Sequence, residues 1–285
     1  MNKKNIILII LILLFIIIVI VSYYFLIRQE LAKQGLNQPN QAITSFIPDS
    51  NDTITIMSWN VQIFGIAKWN KTNVKEKMLD VIPRADIVFI QEIRDKSGEA
   101  FNELCNQLNQ THRCNVSSRA GRSSSKEQYG IIYKKDINLT SITDYNPDEQ
   151  DRWERSPVEV TFLFGNYEFR ATNIHTKPEN ATIELKNLEM LYYTSSWAGN
   201  RIWLGDFNAD CGYYDENNKT VFLGEYWVIQ DYDDTTATNS ICAYDRIIIN
   251  NDMQQEYLRY GIYKNITTEV SDHYPVWIEI KDVNQ

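Results

Sequence analysis

The chain has 285 residues, enough for one large α/β domain with a proper core and a short appendage. At 44% hydrophobic and 23% charged, its composition excludes a collagen-like or disordered chain. The net charge of −9 argues against tight, non-specific nucleic-acid binding through a basic surface, but leaves room for a site of carboxylates whose sign a bound cation reverses.

Ile6 to Ile27 is a run of 22 residues without a charge, and at about 1.5 Å per residue it spans the roughly 30 Å hydrocarbon core of a bilayer. Asn2, Lys3 and Lys4 precede it, so the positive-inside tendency places the N-terminus in the cytoplasm and the remainder outside. The run is longer than the core of a signal peptide, and no clear small-x-small cleavage site follows. Residues 1–28 are therefore expected to be an uncleaved transmembrane signal-anchor with a short cytoplasmic tail. A cleaved leader would leave the rest secreted, and the placement outside the cytoplasm holds either way. Residues 29–52 are polar, with Gln, Asn, Pro and Ser, and read as a linker.

Residues 53–285 read as one domain. Short β-branched or aromatic runs predict strands over Thr53–Asn60, Ile87–Gln91, Gly130–Lys134, Val158–Phe164, Phe169–His175, Ile202–Gly205, Arg246–Asn250 and Tyr274–Ile280. Apolar residues at three- and four-residue steps predict helices over Asn73–Ile82, Gly98–Leu108 and Ala181–Ser196. Strands outnumber helices and run in pairs. The expected fold is a four-layered α/β sandwich, two packed and mostly antiparallel sheets flanked by helices, rather than an alternating Rossmann sheet.

The informative polar residues fall at strand ends: Asn60, Glu92, His175, Asp206, Asn208, Asp245 and the pair Asp272–His273. Singly, each has an ordinary reading as a surface carboxylate or turn residue. Together, at the ends of several hydrophobic strands, they point to one rim of a sandwich. Their chemistry suits phosphodiester cleavage. Carboxylate and amide oxygens hold a hard divalent cation that polarises a phosphoryl oxygen, and histidine moves protons near neutral pH. Only three histidines are present. The third, His112, between Thr111 and Arg113, is expected at the surface. The four cysteines show no CxxC spacing, and an even count in an exported chain suits disulfides.

Gly205-Asp-Phe-Asn-Ala-Asp-Cys211, Asp234-Thr-Thr-Ala-Thr238, Cys242-Ala-Tyr-Asp-Arg-Ile247 and Ser271-Asp-His-Tyr-Pro-Val276 resemble the deoxyribonuclease I family of the endonuclease/exonuclease/phosphatase superfamily. Ile90 to Asp95 and Arg122 to Tyr129 fit the same register, and the resemblance covers roughly residues 53 to 280. It implies an endonuclease that hydrolyses DNA, preferably double-stranded, to 5′-phosphorylated products, with Mg²⁺ or Mn²⁺ at the centre; the sequence leaves the oligomeric state open, and a monomer is the default. It pairs His175 with Glu127 and His273 with Asp245, each carboxylate orienting its imidazole. His273 would be the base that activates water and His175 the acid at the leaving oxygen. Glu92 and Asp272 would hold the ion, and Asn60, Asp206 and Asn208 would complete the ion or phosphate environment. Arg94 matches an arginine that enters the minor groove, and Arg155, Tyr213 and Tyr244 match backbone or scissile-phosphate contacts. Asp234, Thr236, Thr238 and Ser240 resemble a structural Ca²⁺ loop. Cys211 and Cys242 would form the family's disulfide, worth about 2–4 kcal/mol. Cys105 and Cys114 match no family pair, although nine residues at a helix end permit a local bridge.

Two positions depart from the family. Ser125 replaces a groove-stacking tyrosine, and Gln62 stands in place of an arginine, so stacking and charge are lost at a duplex interface. The alternative reading keeps the fold and takes lipid or inositol-phosphate head groups as substrate, which nearness to a membrane would suit. Arg94, Tyr213 and the Cys242–Asp245 segment favour the nuclease branch.

Overall fold

In the first strand, β1 (Thr53–Phe64), Ile54 and Ile56 face one side and Met57 and Trp59 the other, and all four are buried. A strand covered on both faces needs a layer on each side, which sets the architecture. The structure, a computed structural model, describes residues 53–215 and 219–281. The expected anchor (1–28) and linker (29–52) lie outside the described residues. Among the described residues no helix is long and apolar enough to cross a membrane.

The remaining strands are β2 (Ile87–Ile93), β3 (His112–Val116), β4 (Gln128–Lys134), β5 (Asn138–Asp144), β6 (Val158–Phe164), β7 (Tyr167–Asn173), β8 (Asn200–Asp206), β9 (Tyr226–Trp227), β10 (Asp245–Ile249), β11 (Tyr257–Ile262) and β12 (Val276–Lys281). They form two six-stranded sheets, ordered β11-β12-β1-β2-β4-β3 and β5-β6-β7-β8-β10-β9. Each sheet is mixed, with one parallel pair among antiparallel ones: β1 with β2, and β7 with β8.

Ile54, Ile56, Ile87 and Phe89 of the first sheet pack on Val160, Phe162, Phe169 and Ile202 of the second. Phe162 centres this layer, its ring centroid 6.2 Å from Phe89, 5.7 Å from Tyr133 and 5.6 Å from Phe169. The other face of the first sheet packs Met57, Trp59 and Val88 on Val74 and Met78 of helix Thr72–Val81 and on Phe101 and Leu104 of helix Glu99–Leu108. The outer face of the second packs Trp203 and Ile248 on Leu185 and Leu188 of helix Ala181–Thr194. The order is helix, sheet, sheet, helix.

Both cysteine pairs are bridged, Cys105–Cys114 and Cys211–Cys242. The first ties helix Glu99–Leu108 to β3. The expectation for His112 is corrected. The residue opens β3, is 4% exposed, and its Nδ1 lies 2.7 Å from Thr111 Oγ1. Pairing with Lys134 of β4 makes its loop-like sequence a strand.

Candidate active site

The two parallel pairs end at the same rim. β1 carries Asn60 there, β2 carries Glu92, and β8 ends on Asp206. The chain leaving β7 stays beside β8, with Ile174 N donating to Leu204 O and Thr176 N to Asp206 O, so His175 is held against Asp206. This approach is close because residue 205 is glycine. Its φ is +140°, and a Cβ there would lie 1.9 Å from Ile174 O. Asp245, the first residue of β10, pairs opposite Asp206. Asp272 and His273 come from the loop before β12, which bonds to the 235–237 segment through a Thr236–His273 bridge and Ala237 N to Asp272 O, 2.7 Å. Glu92 has a φ of 61° where β2 shifts register, an unfavourable conformation of the kind that gathers at functional sites.

The two histidines are oriented alike. His175 Nδ1 lies 2.7 Å from Glu127 Oε1, and His273 Nδ1 lies 2.7 Å from Asp245 Oδ2. Each Nε2 then points at one atom, Asp206 Oδ2, at 3.4 Å from His175 and 3.5 Å from His273. The two Nε2 atoms are thus at most about 7 Å apart, close enough to serve one phosphorus centre.

Charge follows from this placement. Burial pulls the His273 imidazole down, but Asp245 and Asp206 outweigh it and push it up to about 10. Burial likewise opposes the charged form of His175, and Glu127 with Asp206 still raises it above the ordinary range. Burial would lift Asp206, but the two imidazoles, the Asn60 amide and the Asn208 N–H hold it below the usual carboxylate range. Glu92 is lowered too: burial disfavours its charge, and His175 and Arg94 outweigh that.

Asn60 sits at the centre as a donor. Its Nδ2 bonds Asp206 Oδ2 at 2.9 Å and Glu92 Oε1 at 3.2 Å, while its Oδ1 accepts the Gln62 N–H at 2.9 Å. A backbone N–H can only donate, so the oxygen faces Gln62 and the amine faces the carboxylates. Asn60 thus bridges two acids, and its Oδ1 keeps a second lone pair beside the Gln62 bond. Asn208 (φ 47°) donates Nδ2 to Thr176 O, 3.0 Å, and its N–H to Asp206 Oδ1, 3.1 Å, which fixes Asp206 from behind. Glu92 and Asp272 flank the 61–63 turn: Ile63 N donates to Glu92 Oε2, 2.8 Å, and Gln62 Nε2 to Asp272 Oδ2, 2.7 Å.

The donor set fits a hard cation. Glu92, Glu127 and His175 each offer an atom within 4.8 Å of the others, and so do Asp206, Asp245 and His273. Asp272 Oδ1, Glu127 Oε2 and Asp245 Oδ1 are buried oxygens that accept no hydrogen bond. Buried, unsatisfied carboxylate oxygens are costly unless a cation meets them.

The expected DNA contacts divide. Tyr213 is 43% exposed and lies 5.7 Å from the Tyr244 ring, which is 6.4 Å from the His273 ring, so both line the mouth. Arg94 is partly exposed, with Nη2 3.0 Å from Glu92 Oε2 and Nε 3.7 Å from Glu127 Oε2. Arg155 sits deeper than the other three. Its side chain is largely buried, pairs with Glu127 Oε1 at 2.9 Å, and donates to His175 O and Thr176 O, so it braces the His175–Glu127 pair from inside. In the loop that resembles a Ca²⁺ site, Asp234 Oδ1 accepts from Thr236 N, the single Thr236 hydroxyl hydrogen is shared between Ser240 O at 2.6 Å and Asp234 Oδ1 at 2.9 Å, and Thr238 Oγ1 lies 2.6 Å from Ser240 Oγ. These polar groups bond one another, and the loop steadies Asp272 and His273.

Two positioning groups were not singled out in the sequence. The buried Tyr129 hydroxyl accepts the His175 N–H at 3.1 Å, and its only sequence signal is its place two residues after Glu127. Ser271 Oγ donates to Asn60 O at 2.6 Å and accepts the His273 N–H at 3.1 Å, a local Ser-x-His turn that the Ser-Asp-His motif contains.

The model of the Endonuclease/Exonuclease/phosphatase family matches residues 57–273. Deoxyribonuclease-1 of Bos taurus is 31% identical, across 80% of this chain and 92% of its own length. Deoxyribonuclease gamma of Homo sapiens is 31% identical, across 79% and 85%. Among solved structures, an endonuclease/exonuclease/phosphatase family protein from Leptotrichia buccalis has a TM-score of 0.60 at 16% identity, covering 80% of this chain and 99% of its own, a likeness of fold. Because the family match spans both sheets and relatives at this identity span most of their own length, the chain belongs to the endonuclease/exonuclease/phosphatase family and, within it, to the deoxyribonuclease I family.

Proposed function

We propose that the chain is a divalent-metal-dependent endonuclease that hydrolyses DNA phosphodiester bonds to 5′-phosphorylated products. One observation carries the reading. Two imidazoles, each held through Nδ1 by its own buried carboxylate, turn their Nε2 atoms on the same point. A displacement at phosphorus needs a proton taken on one side and given on the other, and this arrangement can supply both.

Glu92 and Asp272 would hold Mg²⁺ or Mn²⁺; Asp272 Oδ1 accepts no hydrogen bond, and its nearest charged neighbour is His273 Nε2 at 3.8 Å. When bound, that ion supplies positive charge that polarises a phosphoryl oxygen and counters the carboxylates retaining the His273 proton. His273 Nε2, once deprotonated, takes a proton from water as its oxygen attacks phosphorus. His175 Nε2 gives its proton to the departing 3′ oxygen, so a 3′ hydroxyl and a 5′ phosphate result. Glu127 and Asp245 keep each ring in the needed tautomer and stabilise it when charged. Tyr213, Tyr244 and Arg94 would meet the strand at the mouth, and the relatives named as deoxyribonucleases support DNA as substrate. Ca²⁺ in the loop of Asp234, Thr236, Thr238 and Ser240 is part of this proposal, with side-chain and carbonyl oxygens as its ligands.

The proposal extends to location: a monomer anchored in the cell membrane by residues 1–28, with residues 53–285 outside the cytoplasm. The charge-free Ile6–Ile27 run supports the anchor, and two disulfides suit an oxidising compartment.

The test is nicking of supercoiled plasmid with and without EDTA, with sphingomyelin hydrolysis in parallel and end analysis of the cut DNA. Wild type should nick only with added ion and leave 5′ phosphates. His175→Ala and His273→Ala should each lower turnover by about 10³-fold or more with the fold intact. Near-normal nicking by either variant removes the mechanism, and hydrolysis of sphingomyelin but not DNA replaces the substrate.

A further inference from the structure

Behind the rim lies an ammonium that the chemistry above does not use. Lys68 stands in the short helix Ile66–Trp69 and is half-buried. Its Nζ donates to Val61 O at 2.9 Å, to Val270 O at 2.9 Å and, at closer range, to Gln62 O. Three N–H groups meet three carbonyls, so the ammonium is filled. These carbonyls come from two segments that are remote in sequence, and both carry site residues.

The first segment is the turn in β1 where Gln62 and Ile63 have φ of 44° and 52°, a conformation that a β-branched residue rarely adopts. Through that turn, Gln62 N holds Asn60 Oδ1, Ile63 N holds Glu92 Oε2 and Gln62 Nε2 holds Asp272 Oδ2. The second is the turn before Asp272, whose Ser271 Oγ reaches back to Asn60 O. Something must keep an unfavourable turn in place and lock it to its neighbour, and one side chain bonds the backbone of both. Its charge also faces Asp272 and Glu92; burial lowers Lys68 to about 8, and the two carboxylates oppose that loss.

We infer that Lys68 is a positioning residue for the ion site, clamping the 61–63 turn to the 270–272 turn so that Glu92 and Asp272 are set to meet one cation. The inference rests on the reading of Glu92 and Asp272 as the ion's ligands. Methionine in its place would leave three carbonyls facing one another without a donor. Arginine keeps the charge, but its planar fork does not match a tripod of carbonyls.

Calorimetric binding of Mn²⁺ to the full chain, for wild type, Lys68→Met, Lys68→Arg and Glu92→Gln, tests this together with circular dichroism and plasmid nicking across an Mn²⁺ titration. Lys68→Met is expected to weaken Mn²⁺ binding, and to raise the Mn²⁺ needed for half-maximal nicking, by about 10–100-fold. KM for DNA at saturating Mn²⁺ should stay within about twofold of wild type. Lys68→Arg should fall between, at least about threefold weaker than wild type. Wild-type Mn²⁺ affinity in folded Lys68→Met or Lys68→Arg, with only a lowered Tm, overturns the inference. If Lys68→Met does not fold, Lys68→Arg decides. If wild type binds Mn²⁺ and Glu92→Gln does not, yet no DNA is cut, the nuclease reading fails while the Lys68 comparison still stands on calorimetry.

Discussion

Replacing Gly205 with alanine tests how the fold serves the site, because the new methyl group would strike backbone rather than a yielding side chain. A Cβ at residue 205 would sit 1.9 Å from Ile174 O, against the 3.4 Å or more of ordinary contact, so the chain after β7 and the end of β8 must separate by about 1.5 Å. Those segments carry His175 and Asp206, whose Nε2 and Oδ2 are 3.4 Å apart. A misplacement of this size at a reacting group lowers turnover by about 10²-fold. The overlap costs about 1–3 kcal/mol, and alanine at a φ of +140° a similar amount again. Tm should then fall by on the order of 10 °C. The assay is kcat/KM for plasmid nicking at 25 °C beside a thermal melt on the same preparation. Activity should drop far more than the folded fraction does. A folded Gly205→Ala protein with wild-type kcat/KM would refute the claim that close approach of β7 and β8 builds the site.

Other outcomes follow from the same geometry. In EDTA, His273 holds its proton up to about 10 in the folded state against 6.5 when free, so its contribution to stability is complete below 6.5 and declines as pH rises through that window. His175, also raised, acts in the same direction. Lys68, lowered to about 8, works the other way above that pH, so the fall in Tm should be clearest between about 6.5 and 8 and shallower in His273→Ala. A flat Tm across that range would contradict the charge assignment. Replacing Cys211 and Cys242 together by serine opens a loop of sequence separation 31 and should cost about 3–4 kcal/mol on the chain-entropy account. The Cys105–Cys114 pair, with a separation of 9, should cost about 2–3 kcal/mol. Denaturant melts of the two double variants check the order, and an equal or reversed loss would count against it.

Eight strands were legible in the sequence, and they are the inner strands of the two sheets, whose buried residues leave dense apolar runs. The four that were not, β3, β5, β9 and β11, are the sheet edges. An edge strand has a neighbour on one side only and tolerates polar residues, as Asn138-Leu-Thr-Ser-Ile-Thr-Asp144 does in β5. His112 was misplaced for that reason: its surroundings read as loop, and only pairing with β4 buries it.

The order and chemistry of Asn60, Glu92, His175, Asp206, Asp245 and His273 were in the sequence by themselves, because residue type and place at a strand end are local properties. So was the charge-free Ile6–Ile27 run. The tertiary structure alone decided which way each group faces. It turned the Asn60 amine toward two acids, drew Arg155 beneath His175, and closed Lys68 over carbonyls of two distant turns. Those outcomes depend on hydrogen bonds between segments up to about 200 residues apart, and no local pattern encodes which donor will meet which acceptor.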